Sequence, residues 1–192
     1  MHCGSGEQAV YFAFQEAEVT VIDISPESIR NTQHLAKNKN VQLNAQLMSA
    51  ESLSFSDQTF DKIYINSVLM HVHQEKVFQE CHRVLKKTGT LVIVEPLRYT
   101  PSVQIYRLFS SYKETRPKYI TLAEFKKNKS RFSEFSHQEF YFISPILLPL
   151  LYFKSNFLHE LFFFASKKDQ LLTSIFSFLK SLCWVSVVKY VK

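Results

Sequence analysis

The feature that most limits the fold is an alternation of strand-like and helix-like segments over residues 1–97. Residues 7–15 read as a helix opened by Gly4-Ser5-Gly6, and residues 18–24 (EVTVIDI) read as a strand. Ser25 then caps a second helix, with Pro26 at its first position, running to about Lys37. Residues 38–40 break it. Residues 41–48 and 60–66 (FDKIYIN) read as strands. Residues 74–86 read as an amphipathic helix with Val77, Phe78, Cys81, Val84 and Leu85 on one stripe. Residues 89–95 (GTLVIVE) form a buried strand that Pro96 ends. Strands separated by helices imply a parallel sheet covered on both faces.

The second half is less regular. Residues 101–112 and 121–129 look helical, and Thr121 with Glu124 fits a capping box. Residues 132–143 carry enough aromatics for a strand. Residues 144–180 look like apolar helices broken near Ser166-Lys167-Lys168, and residues 182–192 (LCWVSVVKYVK) read as a closing strand. No internal repeat or linker interrupts the 192 residues, so one domain is the simplest account.

Charge and aromatics divide at the same place. Residues 1–97 hold 8 Lys/Arg and 11 Asp/Glu, whereas residues 98–192 hold 15 and 6. Of the 18 phenylalanines, 13 lie in the second part. A basic, apolar half fits either a solvated basic face over a Phe-rich core or contact with an anionic membrane surface. The basic residues are scattered rather than arranged as a stripe, which disfavours nucleic acid. Cys3, Cys81 and Cys183 lie far apart, which argues against a disulfide framework or a zinc site and fits the reducing cytoplasm. No signal peptide is visible. The longest greasy run, residues 143–153, is interrupted by Pro145 and Pro149 and falls short of the ~20 residues a membrane span needs.

Glycine occurs only three times, and two of the copies are Gly4 and Gly6. Glycines where a strand hands over to a helix let backbone approach a ligand closely. The helix N-terminus behind them offers free N–H groups and partial positive charge to an anionic ligand group. Asp23 ends the next strand, where an acidic residue can accept hydrogen bonds from both hydroxyls of a ribose. Its plainer role is to cap the turn into Ser25-Pro26. A dinucleotide-binding fingerprint would need a third glycine where Ala9 stands.

The blocks CGSGEQAVYFA, VTVIDISPESI, SAESLSFSDQTFDKIYINSVLMHV and FQECHRVLKKTGTLVIVEPL, in this order and spacing, closely resemble the class I methyltransferases that use S-adenosylmethionine (SAM). The similarity is greatest to the ubiquinone/menaquinone branch and covers about residues 3–97. The resemblance implies a three-layer Rossmann-like sandwich, a mostly parallel sheet with an antiparallel C-terminal strand. It implies that Gly4 and Gly6 line the methionine end of SAM. Asp23 would bind the ribose, and Ile24 would pack on the adenine. Ser49, Ala50 and Glu51 would contact the adenine edge, and Asn66 would lie near the ligand at a strand end.

The chain departs from the pattern at three places. His2 stands where the family has its first glycine, and the apolar strand with its acidic residue before it is absent. That strand is central in the family's sheet, so its absence anticipates a gap, and either a start upstream or a decayed copy would account for it. Ser49 stands where many members carry an acid, and Thr88 replaces a glycine in what reads as a turn before the 89–95 strand.

A sulfonium methyl is already activated, so the protein has mainly to align the acceptor and exclude water. His71 matches a position that is often histidine in similar proteins. It is the candidate to touch or deprotonate the acceptor, with Glu95 a lesser one and a structural histidine the plainer reading. The apolar residues 140–165 fit a small-molecule or lipid-like acceptor, peripheral membrane contact, or helices packed on the sheet edge. Two functions stay open: SAM-dependent methyl transfer, or a non-catalytic SAM-fold protein that binds a partner or a membrane.

Overall fold

The structure is a computed structural model that describes residues 6–101, 104, 118–147 and 155–192. Gly4, and most of the helix expected over 101–112, lie outside the described residues. The chain divides into two compact units, one of residues 6–68, 72–91 and 192, the other of residues 69–71 and 92–191.

In the first unit, Gly6 opens helix α1 (Glu7–Phe14) with φ 81°, a left-handed conformation that only glycine adopts without strain. Strand β1 (Thr20–Asp23) pairs in parallel with β2 (Asn44–Leu47), Asp23 lying opposite Leu47. Both strands are shorter than the segments 18–24 and 41–48 expected for them. Between them, α2 (Pro26–Asn38) starts as expected: Ser25 Oγ accepts a hydrogen bond from the Ser28 N–H at 3.3 Å, and Pro26 takes the first position. Strand β3 (Phe60–Asn66) has the expected bounds and lies beside β4 (Leu85–Pro96). Helix α3 (Gln74–Val84) buries Val77, Phe78, Cys81 and Val84, the anticipated stripe.

One expectation fails here. Thr88-Gly89 is not a turn but part of β4, which already begins at Leu85. A Cβ on Gly89 would stand 2.7 Å from Leu85 Cδ2 and 3.0 Å from the Lys86 carbonyl oxygen, so the strand needs glycine for its own close packing. The anticipated gap is present. Among the described residues β1 pairs only with β2, while β3 belongs to a different sheet. A cleft of about 440 Å³ lies along both strands, lined by Phe12, Val19, Val21, Leu53, Ile63 and Tyr64 among others.

In the second unit, β6 (Val185–Val191) lies between β4 and β5 (Glu134–Phe140) and runs antiparallel to β5. The antiparallel closing strand is thus as expected. Helix α4 (Leu122–Lys127) carries the complete capping box: Thr121 Oγ1 accepts from the Glu124 N–H, and Glu124 Oε2 accepts from the Thr121 N–H at 2.8 Å. Tyr190 is fully buried and donates its hydroxyl to the Phe125 carbonyl at 2.8 Å, tying β6 to α4.

Helix α5 (Asn156–Ile175) corrects the expected break at Ser166-Lys167-Lys168. Lysine is a good helix former, and Ser166 returns its hydroxyl to the Phe163 carbonyl within the helix at 2.8 Å. Among the described residues, no helix is long and apolar enough to cross a membrane.

Candidate functional site

The candidate residues of the first unit gather at the starts of α1 and α2 and at the ends of β1, β2 and β3. Gly6 is the tightest point. A Cβ there would lie 2.7 Å from Thr32 Oγ1 and 2.8 Å from Thr32 Cα, so α1 and α2 meet at a glycine. Sequence reasoning assigned Gly6 to close approach by a ligand, and the structure shows close approach by α2. Thr32 is fully buried, and its hydroxyl has no hydrogen-bond partner among the described residues. The head of α1 thus carries first-turn N–H groups with no partner inside the helix and, next to them, a spare buried hydroxyl.

Asp23 is buried at the end of β1, and its Oδ1 accepts the Ser25 N–H at 2.8 Å. The turn-capping role is therefore real. Ile24 beside it is 74% exposed, an apolar side chain held out at the strand end. The Met48 N–H donates to the Asp23 carbonyl at 3.0 Å, which sets residues 49–51 next to Asp23. Ser49 Oγ accepts from the Glu51 N–H at 3.2 Å, a local turn that buries Ala50. Glu51 has a structural task that its sequence position did not announce: its Oε1 accepts the N–H of His73, the N-cap residue of α3, at 2.9 Å. Asn66 closes β3 and donates its amide to Gln8 Oε1 in the first turn of α1 at 3.2 Å. The end of β3 and the head of α1 are therefore neighbours. Gln8 was not singled out in the sequence, where only its place directly behind the glycines could have drawn notice.

The cleft beside β1 is a low-dielectric place. Burial pushes the Tyr64 phenol above its ordinary pKa, and the Tyr64 ring meets Phe12 edge-on at 5.4 Å. The wall at residues 53–57 is pinned by Arg83. Its guanidinium donates to the carbonyls of Leu53 and Phe55 at 2.8 and 2.7 Å and to the carboxylates of Asp57 and Glu80. Arg83 in turn holds the Glu80 carboxyl below the usual carboxylate range. Cys81, fully buried behind this wall, has its thiol pushed up to about 12 and is no nucleophile at neutral pH.

His71 belongs to the second unit. It ends the 3₁₀ turn Leu69–His71 and is exposed. Two hydrogen bonds fix that turn. The Leu69 N–H donates to Glu95 Oε1 at 2.7 Å, and the Lys118 N–H donates to the Met70 carbonyl at 2.9 Å. Glu95 is 1% exposed, so this carboxylate orients the turn from a buried position.

The arrangement is the frame of a Rossmann-like nucleoside-binding protein: a glycine-headed helix, a buried carboxylate one strand further on, and a polar group at the end of the strand that neighbours the helix. Residues 1–93 match the family described as "Methyltransferase domain". Over these residues the chain is similar to the class I methyltransferases that use SAM as methyl donor. The chain is 31% identical over 93 residues to an uncharacterized methyltransferase, YodH, of Bacillus subtilis (strain 168), covering 48% of this chain and 40% of the relative. It is 31% identical over 98 residues to a ubiquinone biosynthesis O-methyltransferase of Methylocella silvestris, covering 51% of this chain and 38% of the relative. The chain thus spans about two fifths of the length of these curated relatives. Among solved structures, the phosphoethanolamine N-methyltransferase 2 of Haemonchus contortus in complex with SAM superposes with a TM-score of 0.68 at 16% identity. That match covers all of this chain and 47% of the other.

Proposed function

We propose that this chain binds SAM through its first unit and, as part of the active protein, serves methyl transfer to a small organic acceptor. The observation that carries the reading is Asp23, a carboxylate buried at the end of β1, in the part of the chain that matches the methyltransferase domain. The donor set fits the ligand. The first-turn N–H groups of α1 behind Gly4 and Gly6 suit its carboxylate end, with the Thr32 hydroxyl in reserve beside them. Asp23 suits the ribose hydroxyls, and exposed Ile24 offers an apolar flank for the adenine. Ser49, Ala50 and Glu51 edge the same corner, and Asn66, held by Gln8, closes it from β3.

Bound SAM supplies a methyl group activated by its sulfonium charge. The chain's own contribution is then orientation and exclusion of water. We assign His71 to contact or deprotonate the acceptor, with Glu95 and Lys118 setting the turn that carries it. The exposed Ile143, Phe176 and Phe178 of the second unit favour an apolar, lipid-like acceptor over a polar one.

The second reading is a SAM-fold protein without catalysis. The open cleft beside β1 favours it, because an apolar slot between strands loosens the wall behind α1. Titration calorimetry with SAM and its demethylated product separates the two. Binding of both by the 192-residue chain is the expected result, with Asp23→Ala weakening it about 10- to 100-fold, the worth of hydrogen bonds to a charged group. A folded chain that binds neither overturns the assignment. Unchanged turnover by His71→Ala in the active protein removes the histidine from the mechanism.

A further inference from the structure

Helix α5 is apolar on its outer face as well as its inner one. Its buried residues are Asp169 and Thr173. Asp169 is committed inward, because it accepts the N–H groups of Phe142, Ile143 and Ser144 at 3.0, 2.9 and 2.9 Å. Leu158, Phe162, Ala165 and Leu172 are half-buried, and a second set of apolar side chains stands on the outside: Phe157 is 73% exposed, Phe164 60%, Leu171 54% and Ile175 62%. These residues are not scattered. Phe157, Leu161, Phe164, Lys168, Leu171 and Ile175 follow one another at steps of four, three, four, three and four, and all six are exposed. This is the spacing of a seam made to pack against another helix.

We propose that this stripe joins two copies of the chain, their α5 helices antiparallel about a two-fold axis near Ser166. The step pattern reads the same in both directions, as a self-complementary contact requires. Phe157 then meets the partner's Ile175, Leu161 meets the partner's Leu171, and Phe164 meets the partner's Lys168. Lys168 sets the direction. A parallel pair would press two ammonium groups together in mid-seam, whereas the antiparallel pair lays each on a phenyl ring. Within one chain Lys168 Nζ already lies 5.2 Å from the Phe164 ring centroid, so that ring face receives a cation.

A lipid surface fits less well, since interfacial helices keep charge at the border of the apolar face and here a lysine sits in its middle. The area is sufficient. With aromatic side chains carrying ~200 Å² each and aliphatic ones somewhat less, the stripe offers roughly 500 Å² per copy. The pair reaches about the 1,000 Å² that marks a specific interface.

Sedimentation velocity of the full chain from about 1 to about 100 µM tests the proposal, a range that brackets micromolar dissociation constants. A monomer–dimer equilibrium is expected. Leu171→Asp and, separately, Lys168→Glu should weaken it at least about tenfold while the circular dichroism and melting temperature hold, since both side chains are exposed. Under mild oxidation, the double variant Leu161→Cys/Leu171→Cys should form an inter-chain disulfide that neither single variant forms. A chain that stays monomeric over the whole range overturns the proposal. Cross-linking by Leu161→Cys alone would indicate a parallel pair and overturn the antiparallel one. A monomer that sediments with phosphatidylserine vesicles, and loses this with Leu171→Asp, would assign the stripe to a membrane surface instead.

Discussion

Both units bury apolar side chains, but the second also buries more polar groups and exposes more large apolar ones. Among the described residues, the polar side chains buried in the first unit are Asp23 and Thr32, while the second unit buries Glu95, Thr100, Asn128, Glu139, Ser144, Asp169, Thr173 and Ser186. The exposed large apolar residues are skewed the same way, with Phe157, Phe163, Phe164, Phe176 and Phe178 all in the second unit. Each buried polar group must be matched by partners, or it destabilises the fold. The second unit does this in part with local clusters, while Glu139 Oε2 and Ser144 Oγ have no partner among the described residues. Glu139, 3% exposed, accepts from Ser186 Oγ at 3.1 Å and shares a 2.7 Å hydrogen bond with His137 Nδ1. Both units rest on the hydrophobic effect, and the second adds more buried polar contacts to it.

That difference can be broken by substitution. In the first unit, Phe78→Ala removes a ring that is 1% exposed in α3 and should lower unfolding free energy by about 4 kcal/mol in urea melts. A loss under about 1 kcal/mol would mean that α3 is not core. In the second unit, the comparable injury is polar. Asp169→Ala leaves three backbone N–H groups without their acceptor and should remove about 3 kcal/mol. Should that variant melt like the wild type, the claim that polar contacts help hold the second unit would fail.

Legibility in the sequence follows the same line. Helix α2 was readable because Ser25 and Pro26 act within their own turn, and the Thr121–Glu124 box was readable for the same reason. Strand β3 kept the bounds of its β-branched run. What escaped notice acts at long range. Asp169 serves backbone 25 to 27 residues away, and in sequence it was one acid in what read as a helix break. Glu51 looked like a ligand contact, yet it caps α3 through His73, 22 residues on. In the candidate site, Gly6 and Asp23 were singled out from their places in the chain and Asn66 through the family resemblance, while Thr32 carries no local signal and Gln8 only its place behind the glycines.

A smaller effect sharpens the electrostatic side of the comparison. The Arg83 guanidinium beside Glu80 holds that carboxyl below its ordinary pKa, so the folded state prefers the charged form. This contribution is fully present above the unfolded carboxylate pKa of about 4.3 and is lost as pH falls through the lower folded value. Glu80→Gln should therefore cost about 1 kcal/mol at pH 7, a modest figure for a partly exposed charge pair. The deficit should shrink as the pH is taken below about 4. A deficit that stays constant with pH would assign the effect to packing, not charge.

The smallest effect tests the exposure of the outer face of α5. Phe163 lies on α5 next to the stripe and is 59% exposed. Serine has nearly the helix propensity of phenylalanine, so Phe163→Ser should change stability by no more than about 0.5 kcal/mol. Phe78 and Phe163 are the same side chain on two helices, and burial alone separates their expected effects. If Phe163→Ser instead destabilised the chain by more than about 1 kcal/mol, some other part of the protein would have to cover that ring. The outer face of α5 would then be core, and the contrast between the two units would shrink to a difference in how each is covered.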